Sequence, residues 1–403
     1  MKYFPISLIS RNSLRALRIL VITMAITGLI YQFSFNIFSP YKLPYSIQDL
    51  SSLEILSHSQ GNSDIKTIDQ PYQRANATFV TLAQNKDLYS LMEAIQSVEN
   101  SFNKKYKYDW VFFNDNEFSP EFKEIISNQV SGNASFHIIG KEYWGYPDWI
   151  DLEKAKKGRE EMAAAKIVYG GSESYRHMCR FESGFFYRHP ALNNYKYYWR
   201  VEPGVKYTCL ADKDYFKYME DNDLTYGFTL SLIEFRRSIP TLWNTTLDFI
   251  HQNPQYIHKN NLVEFITEAN MTEYNLCHFW SNFEIADLDF YRSEAYSKYF
   301  DYLDSQGGFF YERWGDAPVH SIAVSLFLNK TKIHHFDNIG YEHPPFQSCP
   351  SSKKTRLENK CFCNPRKSFT WTYKSCVAKY YEAQGLPRPP FEKDTQKVLM
   401  NNE

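Results

Sequence analysis

The sequence predicts an α/β fold in which a mixed, mostly parallel sheet carries helices on both faces. Two apolar runs typical of buried strands, TFVTLAQ from Thr78 and DWVFFND from Asp109, flank a segment of helical periodicity. Within that segment, apolar residues recur every three or four positions between residues 88 and 98. A strand, a helix and a second strand at this spacing indicate parallel pairing through a crossover helix.

Further elements continue this alternation. SFHIIG, residues 135–140, predicts a third strand, and DLEKAKKGREEMAAAKIVYG, residues 151–170, predicts a helix that stops at Gly170. GFTLSLIEFRRSIPTLWNTT predicts a strand that leads to Glu234 and then a helix begun by Pro240. The sequence contains neither a P-loop nor a GxGxxG motif, so a nucleotide, if bound, is not held by a glycine-rich phosphate loop.

The prediction of a functional site depends first on YKYYWRVEPGVKYTC, residues 195–209. Its aromatic and β-branched residues favour a strand, which Pro203 and Gly204 must end. Glu202 therefore lies at the carboxyl end of a strand, where open α/β sheets bind ligands, and its carboxylate suits an oxygen-preferring cation such as Mn²⁺ or Mg²⁺. The alternative is that Glu202 pairs with Arg200 or caps a turn.

A second candidate region is SESYRHMCRFESGFFYRHP, residues 172–190. If this region is helical, Tyr175 and Cys179 share one face, whereas Arg180 and Glu182 can point elsewhere. Arginine and tyrosine beside a carboxylate-bound metal are suited to clamping a diphosphate, which makes Tyr175 and Arg180 candidate cofactor-binding residues. An amphipathic helix with solvated arginines is the alternative.

Carboxylates and imidazoles downstream extend the candidate site. They occur near aromatic runs and glycine turns, as in CHFWSNFEIADLDFY and IHHFDNIGYEHPPF. As a set they are typical of an active site that combines carboxylates and imidazoles, whereas each member alone is more often structural. The residues are Glu234, Glu284, Asp287, Asp289, Asp316, His320 and His343.

Composition excludes one class of partner. The 403 residues carry a net charge of −1, so the chain lacks the excess of basic residues that is typical of proteins that bind nucleic acid. Aromatic residues make up 17% of the chain, and such rings suit the apolar faces of sugars. Excess aromatic residues are nevertheless more often core than binding surface.

The N-terminus predicts a membrane anchor. The first segment is basic and contains no acid, and the next is an apolar run of the length that spans a bilayer core of ~30 Å as a helix. A cleaved signal peptide is the alternative, but its apolar region would be shorter and would end in small residues. The basic flank places the N-terminus in the cytosol. We therefore expect a cytosolic tail (1–18), a transmembrane signal-anchor (19–38), a polar stem (39–75) and a lumenal domain (76–403).

Cysteines and sequons are compatible with a lumenal compartment. Seven cysteines, four of them within residues 349–376, favour disulfides in an oxidising lumen and leave at least one thiol unpaired. A zinc site is the alternative, but the spacing around the C-x-C pair fits no common zinc motif well. N-x-S/T sequons occur at Asn76, Asn133, Asn244, Asn270 and Asn329.

Four motifs carry a resemblance to a known family: YWRVEPGVK, CHFWSNFEIA, GGFFYERWGDAPVHSIA and IGYEHPPFQSCP. In order and spacing they resemble the fungal Golgi α-1,2-mannosyltransferase family, glycosyltransferase family 15, from about Asn76 to the C-terminus. The resemblance implies a single GT-A-like catalytic domain in the lumen and a type II Golgi membrane protein. It also implies retaining transfer of mannose, with Mn²⁺, from GDP-mannose to the 2-hydroxyl of mannosides on O-linked or N-linked glycans of glycoproteins, including those of cell-wall mannan.

The resemblance also implies roles for individual residues. Glu202 of the EPG turn and His343 of GYEHPPF look like the metal ligands. Tyr175 matches a tyrosine of the donor site, and Asp316 and Glu234 match acids near the acceptor.

Glu284 of NFEIA resembles the carboxylate beneath the anomeric carbon. Retention requires either that a carboxylate attacks this carbon or that it stabilises a protected ion pair. The sequence does not separate the two mechanisms.

The sequence departs from the family pattern at three places. CLADKDYF has Leu210 and Ala211 where the family has an acidic segment, Gln84 replaces an arginine, and Ile233 replaces a tyrosine. The first two departures concern the donor site and the third concerns acceptor choice. The altered CLADKD segment motivates an alternative function, a catalytically silent relative that acts as a structural partner in a Golgi mannosyltransferase complex. A glycosidase, which also needs two carboxylates, is a third possibility that the long motifs disfavour.

Overall fold

A seven-stranded sheet forms the centre of the protein, whose computed structural model describes residues 72–268 and 271–389. The strands within these ranges are β1 (Ala77–Leu82), β2 (Asp109–Asn114), β3 (Ala134–Ile138), β4 (Tyr197–Arg200), β5 (Lys206–Tyr207), β6 (Tyr226–Phe228), β7 (Ser231–Ile233), β8 (Thr267–Glu268), β9 (Glu273–Tyr274), β10 (Cys277–Phe279), β11 (Ile285–Asp287), β12 (Ile333–His335), β13 (Tyr341–His343) and β14 (Phe346–Ser348).

The helices fill the connections between these strands. In the same two ranges they are α1 (Leu88–Val98), α2 (Lys104–Tyr106), α3 (Pro120–Gln129), α4 (Leu152–Ala164), α5 (Glu173–Gly184), α6 (Tyr215–Asp221), α7 (Leu242–Gln252), α8 (Val263–Ile266), α9 (Leu288–Arg292), α10 (Glu294–Ser305), α11 (Gly308–Tyr311), α12 (Asp316–Phe327), α13 (Lys353–Glu358) and α14 (Val377–Gln384).

The central sheet has the strand order β12-β6-β11-β4-β1-β2-β3, and its neighbouring strands are parallel except where β11 is involved. The prediction of a mixed, mostly parallel sheet is therefore confirmed. Because β11 runs against both of its neighbours, its first residue lies at the same edge as the last residue of β4. This edge collects side chains from strands of both directions.

Neighbouring residues of one strand enter two different cores, as the pleat requires. Phe79 of β1 lies in a cluster with apolar residues of α1, α3 and α6. Val80, the next residue, lies in a second cluster with residues of α5, α10 and α12. The predicted placement of helices on both faces of the sheet is thus confirmed.

The end of α4 differs from the prediction. The helix ends at Ala164 instead of Gly170. Lys166 adopts a left-handed φ of 56°, and the N–H of Ile167 then bonds to the carbonyl oxygen of Met162 at 3.0 Å. A non-glycine residue thus terminates the helix with the hydrogen bond usually associated with a glycine cap, which helical composition alone could not indicate.

A small three-stranded sheet, ordered β14-β13-β5, lies beside the turn that follows β4. Strand β5 follows Glu202 by three residues of turn, and it pairs with β13 so that Tyr207 lies opposite Tyr341 and Lys206 opposite Glu342. This pairing carries His343, the last residue of β13, to the neighbourhood of Glu202.

Three disulfides confirm the prediction of oxidised cysteines. They are Cys209–Cys361, Cys277–Cys376 and Cys349–Cys363, and Cys179 is a buried free thiol. Two of the disulfides join the small sheet to the segment after α13. The sulfurs of Cys209, Cys361 and Cys363 lie close together because these two bridges meet, and sulfurs in bridges are not free thiolate ligands for zinc.

The predicted cytosolic tail, signal-anchor and nearly all of the stem lie outside the described residues, as does the sequon at Asn270. Across residues 72–268 and 271–389, no helix combines the length and apolarity that crossing a membrane requires.

Candidate active site

The carboxyl-terminal edge of the central sheet gathers acidic side chains around one arginine. Arg200, the last residue of β4, is 6% exposed and donates from Nη1 to Asp316 and from Nη2 to Glu202, each at 2.6 Å. Glu202 follows β4, whereas Asp316 is the first residue of α12. Arg200 therefore fixes two carboxylates from different elements and neutralises part of their charge.

Glu202 pairs with Arg200 and is also partly open to solvent. Its side chain is 27% exposed, and its Oε2 lies 3.6 Å from Nε2 of His343, which is 28% exposed. Nδ1 of His343 lies 3.0 Å from the carbonyl oxygen of Pro344, so Nδ1 carries the ring proton and donates it there. Nε2 is then free to act as a ligand. A carboxylate oxygen beside an imidazole nitrogen fits Mn²⁺, and the structure brings the two predicted ligands together.

Electrostatics keep Glu202 ionised. Burial raises the pKa of its carboxyl group, but Arg200 and His343 outweigh burial and the net pKa is lowered. Burial lowers the pKa of His343, but its interaction with the nearby Glu202 carboxylate makes the net change an increase. A negative carboxylate is thus present at neutral pH next to an imidazole whose second proton competes with a metal ion.

Glu284 lies at the same edge but is completely buried. It precedes β11, and its backbone oxygen accepts from the N–H of Arg200 at 2.9 Å. Its carboxylate accepts hydrogen bonds from the hydroxyls of Tyr198 and Tyr226, the latter at 2.9 Å, and lies 3.1 Å from Nδ1 of His320. These core residues hold the carboxylate in one position away from solvent.

The ring of His320 lies between acceptors in this buried cluster. Its Nδ1 faces the Glu284 carboxylate and its Nε2 lies 3.0 Å from the backbone oxygen of Glu182, so both ring nitrogens face acceptors. Burial lowers the pKa of His320, yet Glu284 and Asp316 raise it above its ordinary value overall. Glu284 and His320 are therefore held as a buried pair in which the carboxylate favours the protonated imidazole.

Asp316 is ionised for a similar reason. Burial raises the pKa of its carboxyl group, but Arg200 and His320 outweigh burial and lower it. The hydroxyl of Ser281 also donates to its Oδ2 at 2.7 Å. Asp316 is therefore a fixed hydrogen-bond acceptor.

A second group of predicted residues lies close to Asp316. Arg313 donates from Nη1 to the hydroxyl of Tyr175 and from Nη2 to the carboxylate of Glu234, each at 3.2 Å. Tyr175 also stacks on the exposed Tyr169, with ring centroids 4.5 Å apart. Burial is the main cause of the raised pKa of Tyr175, and Asp316 is near enough to contribute. Sequence reasoning missed Arg313, which links Tyr175 to Glu234.

The structure does not bring Arg180 to this site. The Arg180 guanidinium forms a two-point ion pair with Asp304, at 2.6 and 2.8 Å, and lies over the ring of Phe185. At 3% exposed, it is a structural side chain between α5 and α10. The predicted cofactor-binding role of Arg180 is thus corrected, because the helix turns this residue toward the core.

Asp287 and Asp289 are also outside the site. They lie at the far end of β11 from Glu284, where Lys196 approaches them at 3.1 and 3.7 Å respectively.

A cleft of about 290 Å³ opens beside Glu202. It lies at the carboxyl ends of the parallel strands β1, β2 and β4, which is where sheets of this type bind nucleotides. Residues on its wall include Gln84, Asn114, Met178, Glu182, Arg200 and Glu202. Sequence reasoning did not assign Glu182 a role, although its four-residue spacing from Met178 places both on one helix face.

The three departures from the family pattern lie in different parts of the structure. Gln84 lines the cleft. Leu210 instead lines a different surface groove, and the N–H of Ala211 bonds to the carbonyl oxygen of Ser101, so these two positions lie outside the cleft. Ile233 is 48% exposed at the end of β7, next to Glu234.

Comparison with solved structures defines the class of protein. One similar structure is core-mannan synthase A (CmsA/Ktr4) from Aspergillus fumigatus in its Mn/GDP form, with a TM-score of 0.74 and 42% identity over 79% of this chain and 87% of that chain. Another is the mannosyltransferase Ktr4p from S. cerevisiae in complex with GDP, with a TM-score of 0.74 and 37% identity over 86% and 90%. The fold is therefore a mixed α/β glycosyltransferase fold.

Sequence comparison then gives the family. The profile described as glycolipid 2-alpha-mannosyltransferase matches residues 46–385. The alpha-1,2 mannosyltransferase KTR1 of Saccharomyces cerevisiae is 58% identical over 78% of this chain and 80% of its own length. Glycolipid 2-alpha-mannosyltransferase 2 of Candida albicans is 57% identical over 79% and 69%. The chain belongs to the glycolipid 2-alpha-mannosyltransferase family, and the resemblance inferred from its four motifs is confirmed.

Proposed function

We propose that the protein is a retaining, Mn²⁺-dependent α-1,2-mannosyltransferase. It moves mannose from GDP-mannose to the 2-hydroxyl of mannosides on O-linked or N-linked glycans of glycoproteins. The observation that carries the proposal is the pair of Glu202 and His343 beside the cleft. The names of its relatives support the linkage, and the Mn/GDP form of a similar structure supports the ion and the nucleotide.

Glu202 and His343 hold the metal ion in this proposal. An Mn²⁺ ion held by these two side chains would supply Lewis-acid chemistry, neutralising charge on the GDP leaving group. Arg200 keeps one oxygen of Glu202 occupied, which leaves Oε2 free for the ion.

We assign Glu284 a stabilising role instead of an attacking one. A nucleophile must reach the anomeric carbon, whereas Glu284 has no exposed surface and its carboxylate is engaged by Tyr198, Tyr226 and His320. A fixed negative charge beneath the sugar stabilises the positive charge that develops at this carbon. Retention then requires that the acceptor attack the face from which GDP departs, within a protected ion pair.

The acceptor side of the site is formed by Asp316 and Glu234 in this proposal. Asp316 remains ionised and can orient an acceptor hydroxyl. Glu234 and Tyr175 are held by Arg313, and the exposed ring of Tyr169 offers an apolar face of the kind on which sugars stack.

We further propose a type II orientation in the Golgi membrane, with the catalytic domain in the lumen. The three disulfides support an oxidising compartment. A catalytically silent partner of related transferases is the weaker proposal. The close approach of Glu202 to His343 beside the cleft, with Glu284 fixed at the same sheet edge, supports an active enzyme instead.

The test uses the full-length protein in detergent with GDP-mannose, α-methyl mannoside and short mannose oligomers. We expect a product only when Mn²⁺ is present, and an α-1,2-specific mannosidase should remove the added residue. His343→Ala should weaken the response to Mn²⁺, whereas Glu342→Ala, the preceding residue of β13, should not. Equal turnover with a chelator present would contradict the proposed function.

A further inference from the structure

Three carboxylates surround Arg200, but only two of them are close to it. Asp316 and Glu202 lie 2.6 Å from its nitrogens, whereas the nearest oxygen of Glu182 lies 3.7 Å from Nη1. In the part of the chain that the structure describes, no hydrogen bond to the Glu182 carboxylate is found, although Glu182 is only 3% exposed. Arg200 is an ion-pair partner of Glu182 at this longer distance, and because Glu182 lines the cleft, its carboxylate keeps acceptor capacity for a ligand.

This capacity is directed toward the cleft. Ser174, Met178 and Glu182 follow each other at intervals of four residues along α5, and all three line the cleft. Asn114, at the end of β2, lines the same cleft, and its buried Oδ1 also lacks a donor among the described residues. The cleft therefore presents buried acceptors that a ligand rich in hydroxyl donors would satisfy.

The position of Glu182 indicates which part of a donor it meets. Its backbone oxygen and the carboxylate of Glu284 face the two ring nitrogens of His320, so Glu182 lies beside the Glu284 cluster. Glu202, which we propose as a metal ligand, lies on the other side of Arg200. Burial raises the pKa of Glu182 to about 7, so its carboxylate is negative above that pH. It then repels the diphosphate held at Glu202, whereas it attracts the hydroxyls of the sugar attached to that diphosphate.

We propose that Glu182 is a specificity-determining residue that accepts hydrogen bonds from hydroxyl groups of the transferred mannose. The inference rests on the proposed function, and it adds the residue that recognises the sugar of GDP-mannose. A sugar that lacks the hydroxyl bound by Glu182 leaves this buried carboxylate without a close hydrogen-bond donor, and a site of this kind rejects such a sugar strongly.

The test measures binding of GDP, GDP-mannose and GDP-mannose analogues that each lack one sugar hydroxyl, by calorimetry on the full-length protein with Mn²⁺. At least one deoxy analogue should bind the wild-type protein about 10- to 100-fold more weakly than GDP-mannose. Glu182→Gln should weaken the binding of GDP-mannose by a similar factor and leave the binding of GDP unchanged. The variant should bind that deoxy analogue no more weakly than it binds GDP-mannose.

Glu173→Gln is the matched control on the same helix. Its carboxylate pairs with Arg159 at 3.0 Å, away from the cleft, so all affinities should stay as in the wild type. Wild-type protein that binds every deoxy analogue as tightly as GDP-mannose would overturn the inference without any variant. Equal weakening of GDP and GDP-mannose in Glu182→Gln would do the same, because Glu182 would then act on the metal site. Wild-type protein that binds neither nucleotide would overturn the proposed function itself, and the inference with it.

Discussion

Glu202 and Glu284 lie at one edge of the central sheet, at the ends of the adjacent strands β4 and β11, yet their surroundings differ. The side chain of Glu202 is 27% exposed and faces His343, with one oxygen held by Arg200. Glu284 is fully buried, and its carboxylate is engaged by two tyrosine hydroxyls and His320. Glu202 therefore has a carboxylate oxygen available to a ligand, whereas the carboxylate oxygens of Glu284 are already engaged by protein groups.

The difference indicates two electrostatic roles, binding of a cation and stabilisation of charge that develops during the reaction. A carboxylate with a free oxygen can bind a cation that arrives with the substrate. A carboxylate fixed in the core by hydrogen bonds needs no reorganisation when charge develops nearby, which is the property that makes preorganised groups effective in catalysis. Removing Glu202 should therefore affect binding, and removing the charge of Glu284 should affect turnover.

Glu202→Ala should have the largest effect and tests the first half of this comparison. It removes the proposed metal ligand and leaves Arg200 without one of its two close partners. We expect Mn²⁺-dependent GDP binding to be lost and kcat/KM to fall by about a thousandfold, the equivalent of several kcal/mol. Calorimetry with GDP and Mn²⁺ measures the binding. GDP affinity equal to that of the wild type would remove Glu202 from the metal site.

Glu284→Gln tests the second half. The amide has the same shape but no charge, so GDP binding with Mn²⁺ should persist while kcat falls by about a hundred- to a thousandfold. Steady-state kinetics and calorimetry on the same preparation separate the two quantities. A variant with unchanged kcat would show that another group stabilises the anomeric centre.

Tyr226→Phe should have a smaller effect, because it removes one of the donors to Glu284 and leaves the charge. The lost hydrogen bond is 2.9 Å long, and its absence should lower kcat by about tenfold. Tyr380→Phe is the matched control, since it removes a buried hydrogen bond to the backbone of Ile333, at 2.7 Å, without contact to Glu284. Both variants should lose stability, and only Tyr226→Phe should lose activity. Equal activity in the two would contradict the role given to the Glu284 cluster.

Much of the fold was predictable from local sequence. Apolar runs and helical periodicity identified β1, α1 and β2 in order, and a parallel sheet follows from that order. The end of α4 was not predictable, because Lys166 takes a conformation that its residue type rarely adopts. The pairing of β5 with β13 was not predictable either, since it joins strands far apart in the chain.

The site was predictable where one residue had a distinctive turn around it. The EPG turn identified Glu202, and the family motifs added His343 and Glu284, but the motifs could not show that one carboxylate is open and the other buried. Arg180 was misassigned because helical spacing gives the face of a residue without showing which face meets the core. Arg313 carried no local signal, because its role depends on Tyr175 and Glu234 from distant segments.

The smallest expected effect concerns the charge of His320 and sharpens the comparison further. The pKa of His320 is raised above 6.5 in the folded protein, so the folded state binds this proton more tightly than the unfolded state does. The resulting stability is fully present below pH 6.5 and is lost as the pH rises through the folded pKa. Glu284→Gln removes the main partner of the proton, so burial should lower the pKa of His320 and weaken this dependence.

Histidine NMR titration, combined with urea unfolding from pH 6.5 upward, measures both consequences. His335 serves as the internal control, because burial lowers its pKa to about 3. Its Nδ1 lies 3.0 Å from the hydroxyl of Tyr381, and no carboxylate among the described residues pairs with its ring. The His320 resonance should shift its midpoint downward in Glu284→Gln, while His335 stays neutral in both proteins. An unchanged His320 midpoint would mean that Asp316 alone holds the proton, and Glu284 would then lose its place as the centre of the buried charge.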